Sequence, residues 1–262
     1  MSRRLGQHFL FDPRILERIV DALGPEPGET VLEIGPGRGT LTAALLPRAG
    51  RLVVIEKDHR LTTLIRERFP EVEVVEGDAL DLDWHALAGP GPFSICGNIP
   101  YNITSPLIDQ ALRPPMPRRI VFLVQKEVAL RLGAQPGNGD YGALSVGVQA
   151  LAHVERLFTV GAGSFSPPPR VDSAVVRLSP RSEPLIPPDL TGSFRRLVVG
   201  LFGFRRKQLG RGLRELTGWD AGLARGMLER IGLTPEARPE TLTPSEFVRL
   251  HAALVDGGWQ AQ

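Results

Sequence analysis

Five short apolar runs, Thr30–Ile34, Leu52–Glu56, Val72–Val75, Phe93–Cys96 and Ile120–Val124, alternate with helix-patterned stretches at Thr40–Leu46, Arg60–Phe69 and Ser105–Leu112. The runs are almost continuously apolar, as strands buried on both faces must be, and crossover helices return the chain for parallel pairing. The expectation is an α/β domain with a mostly parallel sheet covered by helices on both faces. One helix precedes it over Asp12–Gly24. Asp12 can cap it, Pro13 suits the first helical position, and Ile15, Leu16, Ile19, Val20 and Leu23 form its apolar stripe.

The pattern changes after a helical stretch at Ala143–Ala152. Leu157–Val160 and Ala174–Leu178 read as two more strands joined by a proline-rich loop, an antiparallel pair at the sheet edge. Pro180, Pro184, Pro187 and Pro188 then stiffen a connection, and Asp189–Val255 shows helical periodicity without a strand. The 262 residues thus divide at 1–182 and 183–262, a large α/β domain and a small all-helical C-terminal one.

Composition serves mainly to exclude. Hydrophobic residues at 42% and charged residues at 23% rule out a disordered chain. No apolar run approaches the ~18 residues of a membrane span, and the first residues carry no signal-like stretch. A cytoplasmic protein without a membrane partner is expected. Cys96, the single cysteine, cannot form an internal disulfide. The five histidines include no helical pair at ligand spacing, so no metal is expected. The formal net charge is only +2, yet Phe194–Arg230 carries nine Arg or Lys against three Asp or Glu. That local excess, with Arg205, Arg206 and Lys207 at its centre, suits nucleic acid.

The segment Glu33-Ile34-Gly35-Pro36-Gly37-Arg38-Gly39-Thr40 joins a strand to a helix through a glycine turn that lets a ligand approach the backbone. A dinucleotide fingerprint fails because Thr40 stands at its third glycine, and a phosphate loop fails for want of Gly-Lys. The remaining pattern, G-x-G-x-G, is that expected for S-adenosylmethionine. Glu56 ends the second strand, placed to accept from both ribose hydroxyls. Asp78, after the third, can accept from the adenine amine of the cofactor. Ligands bind at the carboxyl ends of strands in such sheets, where these residues converge.

The fourth strand ends in Asn98-Ile99-Pro100-Tyr101. An exocyclic adenine amine is a poor nucleophile because its lone pair is delocalised into the ring. The Asn98 side-chain oxygen and the Ile99 carbonyl can hold its hydrogens and stabilise the developing positive charge. Pro100 fixes the backbone, and Tyr101 offers a ring for stacking.

With these motifs the sequence resembles the KsgA/RsmA family of ribosomal RNA adenine N6,N6-dimethyltransferases over nearly its whole length. Gly6-Gln7-His8-Phe9-Leu10, Gly77-Asp78-Ala79, Gly97–Ile103, Leu123–Ala129 and Phe165–Ser173 follow in family order, with His8 where many relatives carry asparagine. The resemblance implies a Rossmann-like class I methyltransferase sheet and cofactor contacts from His8, Leu10, Gly35, Gly37, Glu56, Asp78 and Asn98. It implies that Phe165 packs against the target base and that Arg205, Arg206 and Lys207 contact RNA. The implied substrate is a pair of adjacent adenosines in a hairpin near the 3′ end of small-subunit ribosomal RNA. It is met in a pre-assembled 30S particle by a monomeric enzyme. Two alternatives stay open. One is an Erm-like methyltransferase of large-subunit RNA; the other is a ribosome-assembly factor that binds RNA without relying on catalysis.

Overall fold

A computed structural model describes residues 8–259; Gly6 and Gln7 of the N-terminal motif, and the last three residues, lie outside them. The two-residue strand β1 (Phe9–Leu10) leads into α1 (Pro13–Leu23), whose start is set by the Asp12 carboxylate accepting the Arg14 N–H. Gly24 stops the helix in the left-handed region. Then come β2 (Thr30–Ile34), α2 (Thr40–Leu45), β3 (Arg51–Glu56), α3 (His59–Arg68), β4 (Glu73–Glu76), α4 (Trp84–Ala88), β5 (Phe93–Asn98), α5 (Thr104–Ala111) and β6 (Arg119–Gln125). The chain continues through α6 (Lys126–Gly133), α7 (Ala143–Gln149), β7 (Ala152–Val160), β8 (Phe165–Ser166) and β9 (Ser173–Pro180). Four helices follow: α8 (Thr191–Gly203), α9 (Leu209–Thr217), α10 (Ala221–Arg230) and α11 (Pro244–Asp256).

Seven strands form one sheet in the order β4-β3-β2-β5-β6-β9-β7. The pairs from β4 through β6 are parallel, and β9 joins β6 antiparallel, with Phe122 opposite Val176. The expected α/β sheet is therefore borne out. Chain order runs outward in one direction from β2 and in the other from β5, so the switch point of the sheet lies between them. A crevice opens there at the carboxyl ends of the strands.

Gly97 marks how closely β2 and β5 approach. A Cβ built on it would collide with the Ile34 carbonyl oxygen, which is backbone in the middle of the sheet. Gly97→Ala should cost about 3 kcal/mol, the upper end for overpacking, read as a lower urea midpoint with the slope unchanged.

Packing separates the chain into two units, and one segment departs from the division at residue 182. The first unit runs to Ala129 and resumes over Val154–Pro180; the second holds Leu130–His153 and everything from Arg181. The inserted segment belongs with the helices because its largest side chain is buried among them. Tyr141 is 1% exposed, donates its hydroxyl to the Leu242 carbonyl at 2.8 Å, and meets the Phe202 ring edge-on. The helix expected to reach Ala152 stops at Gln149, and Ala152 begins β7. Among the described residues no helix is long and apolar enough to cross a membrane.

Candidate active site

Strand periodicity selects what the crevice contains. Val31 and Glu33 on β2, Val54 and Glu56 on β3, and Cys96 and Asn98 on β5 share one face, and Glu33 lies in register with Val54 and Cys96. The apolar members enter the core beneath α1, with Leu16, Ile19 and Val20. The polar members reach the carboxyl end and line a cavity of about 810 Å³, counting its open mouth, together with His8, Leu10, Gly35, Gly37, Ile99, Pro100 and Tyr101.

Glu56 is held by three backbone amides. Lys57 and Asp58 each donate to Oε1 at 2.9 Å, and Gly37 donates to Oε2 at 3.3 Å. Burial pushes its carboxyl above the ordinary range, and those N–H bonds oppose the shift. Gly35 and Gly37 have φ of 68° and 58°, which only glycine adopts without strain. Gly37 also has no room for a side chain, because the Phe9 ring lies against it, and the Arg38 guanidinium stands 4.6 Å from the centroid of that ring. Thr40 donates to the Leu10 carbonyl at 2.7 Å, so β1 is tied down over the glycine turn.

Asn98 donates through Nδ2 to the His8 carbonyl at 2.8 Å, which leaves Oδ1 to accept from a ligand. The Ile99 N–H donates to the Leu123 carbonyl, fixing the chain as it leaves β5. Tyr101 begins a short 3₁₀ turn, hydrogen-bonds Ser173 through its hydroxyl at 2.9 Å, and lies near-parallel to the His8 ring with centroids 6.0 Å apart. His8 in turn donates from Nδ1 to the Pro167 carbonyl at 2.8 Å.

Glu56 and Pro100 also line a second cavity of about 690 Å³, walled by Ile55, Ile103 and Leu107 and ending at Asp78. Asp78 accepts the Leu80 N–H on one oxygen and the Lys57 ammonium on the other at 2.6 Å, which holds its carboxyl below the ordinary range. The two cavities therefore form adjoining parts of one crevice: acidic side chains at Glu33, Glu56 and Asp78, apolar walls for a flat ring, and Asn98 and Tyr101 in its lining.

Phe165 is buried beside the crevice: β8 pairs with β1, placing Phe165 opposite Leu10, which lines the cavity, and both are 3% exposed in the core with Val160 and Val175. Arg205, Arg206 and Lys207 are not helical but occupy the turn between α8 and α9. Arg205 pairs with Glu240 at 3.1 Å and Lys207 with Glu215 at 3.2 Å, while Arg206 is exposed. Among the acidic lining residues, Glu33 went unread in the sequence. Glu33 is a carboxylate inside an otherwise apolar strand, and that interruption was the available signal.

A family model described as ribosomal RNA adenine dimethylase matches residues 1–254. The chain is 42% identical over 261 residues to the ribosomal RNA small subunit methyltransferase A of Acidithiobacillus ferrooxidans, covering 98% of this chain and 96% of the relative. It is 42% identical over 259 residues to the protein of that name from Pseudomonas aeruginosa, covering 97% and 94%. Among solved structures, a dimethyladenosine transferase from Plasmodium falciparum matches with TM-score 0.85 at 28% identity, over 97% of this chain and 100% of that one. The 23S rRNA methyltransferase ErmE matches with TM-score 0.72 at 31% identity, over 94% and 99%. A crevice at the switch point that ends in an asparagine and a tyrosine, within a match of this extent, places the chain in the ribosomal RNA adenine dimethylase family.

Proposed function

We propose that the protein is an S-adenosylmethionine-dependent dimethyltransferase acting on the N6 amines of two adjacent adenosines near the 3′ end of small-subunit ribosomal RNA, with a role in small-subunit biogenesis. The observation that carries this reading is the charge of the crevice. Glu33, Glu56 and Asp78 line it, burial favouring the neutral acid form of Glu33, while Lys57, its single Lys or Arg among the described lining residues, is already paired with Asp78, so no unpaired cation is left for a phosphate. Phosphates would be repelled there, whereas a nucleoside bearing positive charge fits. Glu56 suits a ribose diol, Asp78 a purine amine, and the Ile55, Ile103 and Leu107 walls a flat ring. When bound, the cofactor supplies an electrophilic methyl group.

The chain's own groups prepare the target amine. Asn98 Oδ1 and the Ile99 carbonyl accept its two hydrogens, which draws the lone pair out of the ring and stabilises charge as it develops. The His8 and Pro167 links keep that geometry fixed, so alignment is established before the reaction. Tyr101 supports the base, and its Ser173 bond holds the ring in place. A base that has already gained one methyl retains one N–H for these acceptors, which is compatible with a second transfer.

The test is methyl transfer from labelled S-adenosylmethionine to purified unmodified ribosomal particles, with mass spectrometry of the nucleosides. Dimethyladenosine in the small subunit is expected, with monomethyladenosine appearing first. Modification of large-subunit particles instead would favour the Erm-like reading. Particle binding without any transfer would favour an assembly factor.

Arg205, Arg206 and Lys207 are proposed to contact RNA phosphates. Since Arg205 and Lys207 already have carboxylate partners, Arg206→Glu should weaken particle binding more than either of the other reversals. Removing one phosphate interaction should flatten the log–log salt dependence by about 0.7–0.9, measured by filter binding across salt concentrations. Cofactor affinity should not change.

A further inference from the structure

The crevice is acidic inside, but the outer surface of its glycine turn is basic. Two rings pack over that turn: Phe9, which also lines the crevice, lies against Gly37, and Phe69 lies against Gly39. Each ring bears a guanidinium. Arg38 stands 4.6 Å from the centroid of Phe9, and Arg68 stands 5.2 Å from that of Phe69. Arg68 also donates to the Arg38 carbonyl at 3.2 Å, which ties the end of α3 to the turn. Both arginines are exposed, and among the described residues neither guanidinium meets a carboxylate. Arg66, two residues before Arg68 on the same helix, is by contrast paired with Glu76. A guanidinium laid on an aromatic face is held in position while its N–H edge stays open to a ligand.

We infer, resting on the RNA adenine substrate proposed above, that Arg38 is an RNA-binding residue that takes a backbone phosphate at the rim of the crevice, with the charge of Arg68 beside it. An adenosine must leave its stack before its amine can reach Asn98. Its base can enter, but its phosphates cannot follow. Glu56 and Asp78 repel them, and Lys57 is already engaged by Asp78. The backbone therefore stops at the rim. Phe9 belongs to the crevice wall and bears Arg38, so this cation stands where the base passes in and the phosphate stays out. A phosphate accepts two parallel N–H bonds from one guanidinium edge, a geometry that the ring beneath Arg38 prepares. The contact offsets part of the cost of extruding the base, a few kcal/mol. It is a different task from that proposed for Arg205, Arg206 and Lys207, because it acts on the strand that carries the target. The carboxylate of the cofactor is the other anion within the proposed reaction, and the experiment separates the two.

The experiment is steady-state methyl transfer to purified unmodified small-subunit particles across a range of salt concentrations, with calorimetry of S-adenosylmethionine binding alongside. Arg38→Gln should lower kcat/KM for particles about tenfold, the low end for losing a charge-assisted hydrogen bond. Its log–log dependence of kcat/KM on salt should be flatter than the parent's by about 0.7–0.9, the change for one phosphate contact. Arg38→Lys keeps the charge without the fork, so it should retain the parental salt slope and lose less activity. Affinity for S-adenosylmethionine should be unchanged in both variants. Packing of Arg38 on Phe9 alone would not produce this pattern, since it predicts a lower urea midpoint and no change in salt slope. Arg68→Gln leaves Arg38 and Phe9 in place and should flatten the slope by a smaller amount, so it carries the test should Arg38→Gln fail to fold. A parental salt slope in the folded Arg38→Gln variant overturns the inference and leaves the proposed activity intact. A loss of cofactor affinity that matches the loss of kcat/KM also overturns it, by assigning Arg38 to the carboxylate of the cofactor. A parent protein that transfers no methyl group to ribosomal particles overturns the proposed activity together with the inference.

Discussion

Asn98→Ala should slow methyl transfer at least ~100-fold at saturating cofactor and RNA, the scale seen when one positioned polar group is removed from a reacting centre. The expectation rests on orientation. With Nδ2 bound to the His8 carbonyl, the amide cannot turn without losing that bond, so Oδ1 stays available to the target amine. Alanine removes the acceptor and also releases the His8 carbonyl, so a smaller loss of cofactor affinity should accompany the slower rate. Single-turnover transfer separates the two effects, because saturation restores binding but not the rate. Asn98→Asp provides a second arm: it keeps an acceptor but loses the donor to His8, and it should fall between alanine and the parent. A rate within tenfold of parental for Asn98→Ala would move the amine to other groups.

Phe165→Ala should destabilise the protein by about 3–5 kcal/mol, the range for emptying a buried phenylalanine site. The ring is one of the core side chains under α1, and its antiparallel pairing with Leu10 joins the loop after β7 to the N-terminal segment over the glycine turn. The effect should therefore appear as a lower urea midpoint, with cofactor affinity reduced in parallel because β1 loses its support. A variant with the parental midpoint that transfers slowly would return the ring to the target base. Phe165→Leu should recover most of the stability, since it refills much of the volume.

How legible each part was depended on the range of the interaction. The glycine turn, Glu56, Asp78 and Asn98-Ile99-Pro100-Tyr101 could be read because each sits within a few residues of a strand end, and in a parallel sheet all those ends meet on one edge. The strands themselves could be read because burial on both faces demands continuous apolar runs. The turn after α8 was harder. Gly203 was the one local sign that α8 ends before its basic residues, and their pairing with Glu240 and Glu215 spans distances that no local pattern encodes.

The sequence by itself determined the sheet, the strand ends at which the crevice lies and the residue types that surround it. These follow from periodicity and chain order, which are local properties repeated along the chain. Only the tertiary structure decided that Leu130–His153 joins the helical unit, that Phe165 is in the core, and that Glu33 lines the cavity with a single hydroxyl for company. Each of these depends on which side chains meet across large separations. Tyr141 and Leu242 are 101 residues apart, and a phenylalanine beside prolines reads the same whether its ring turns inward or out. Burial is set by the partners a residue finds, and those partners are fixed only when the chain has closed on itself.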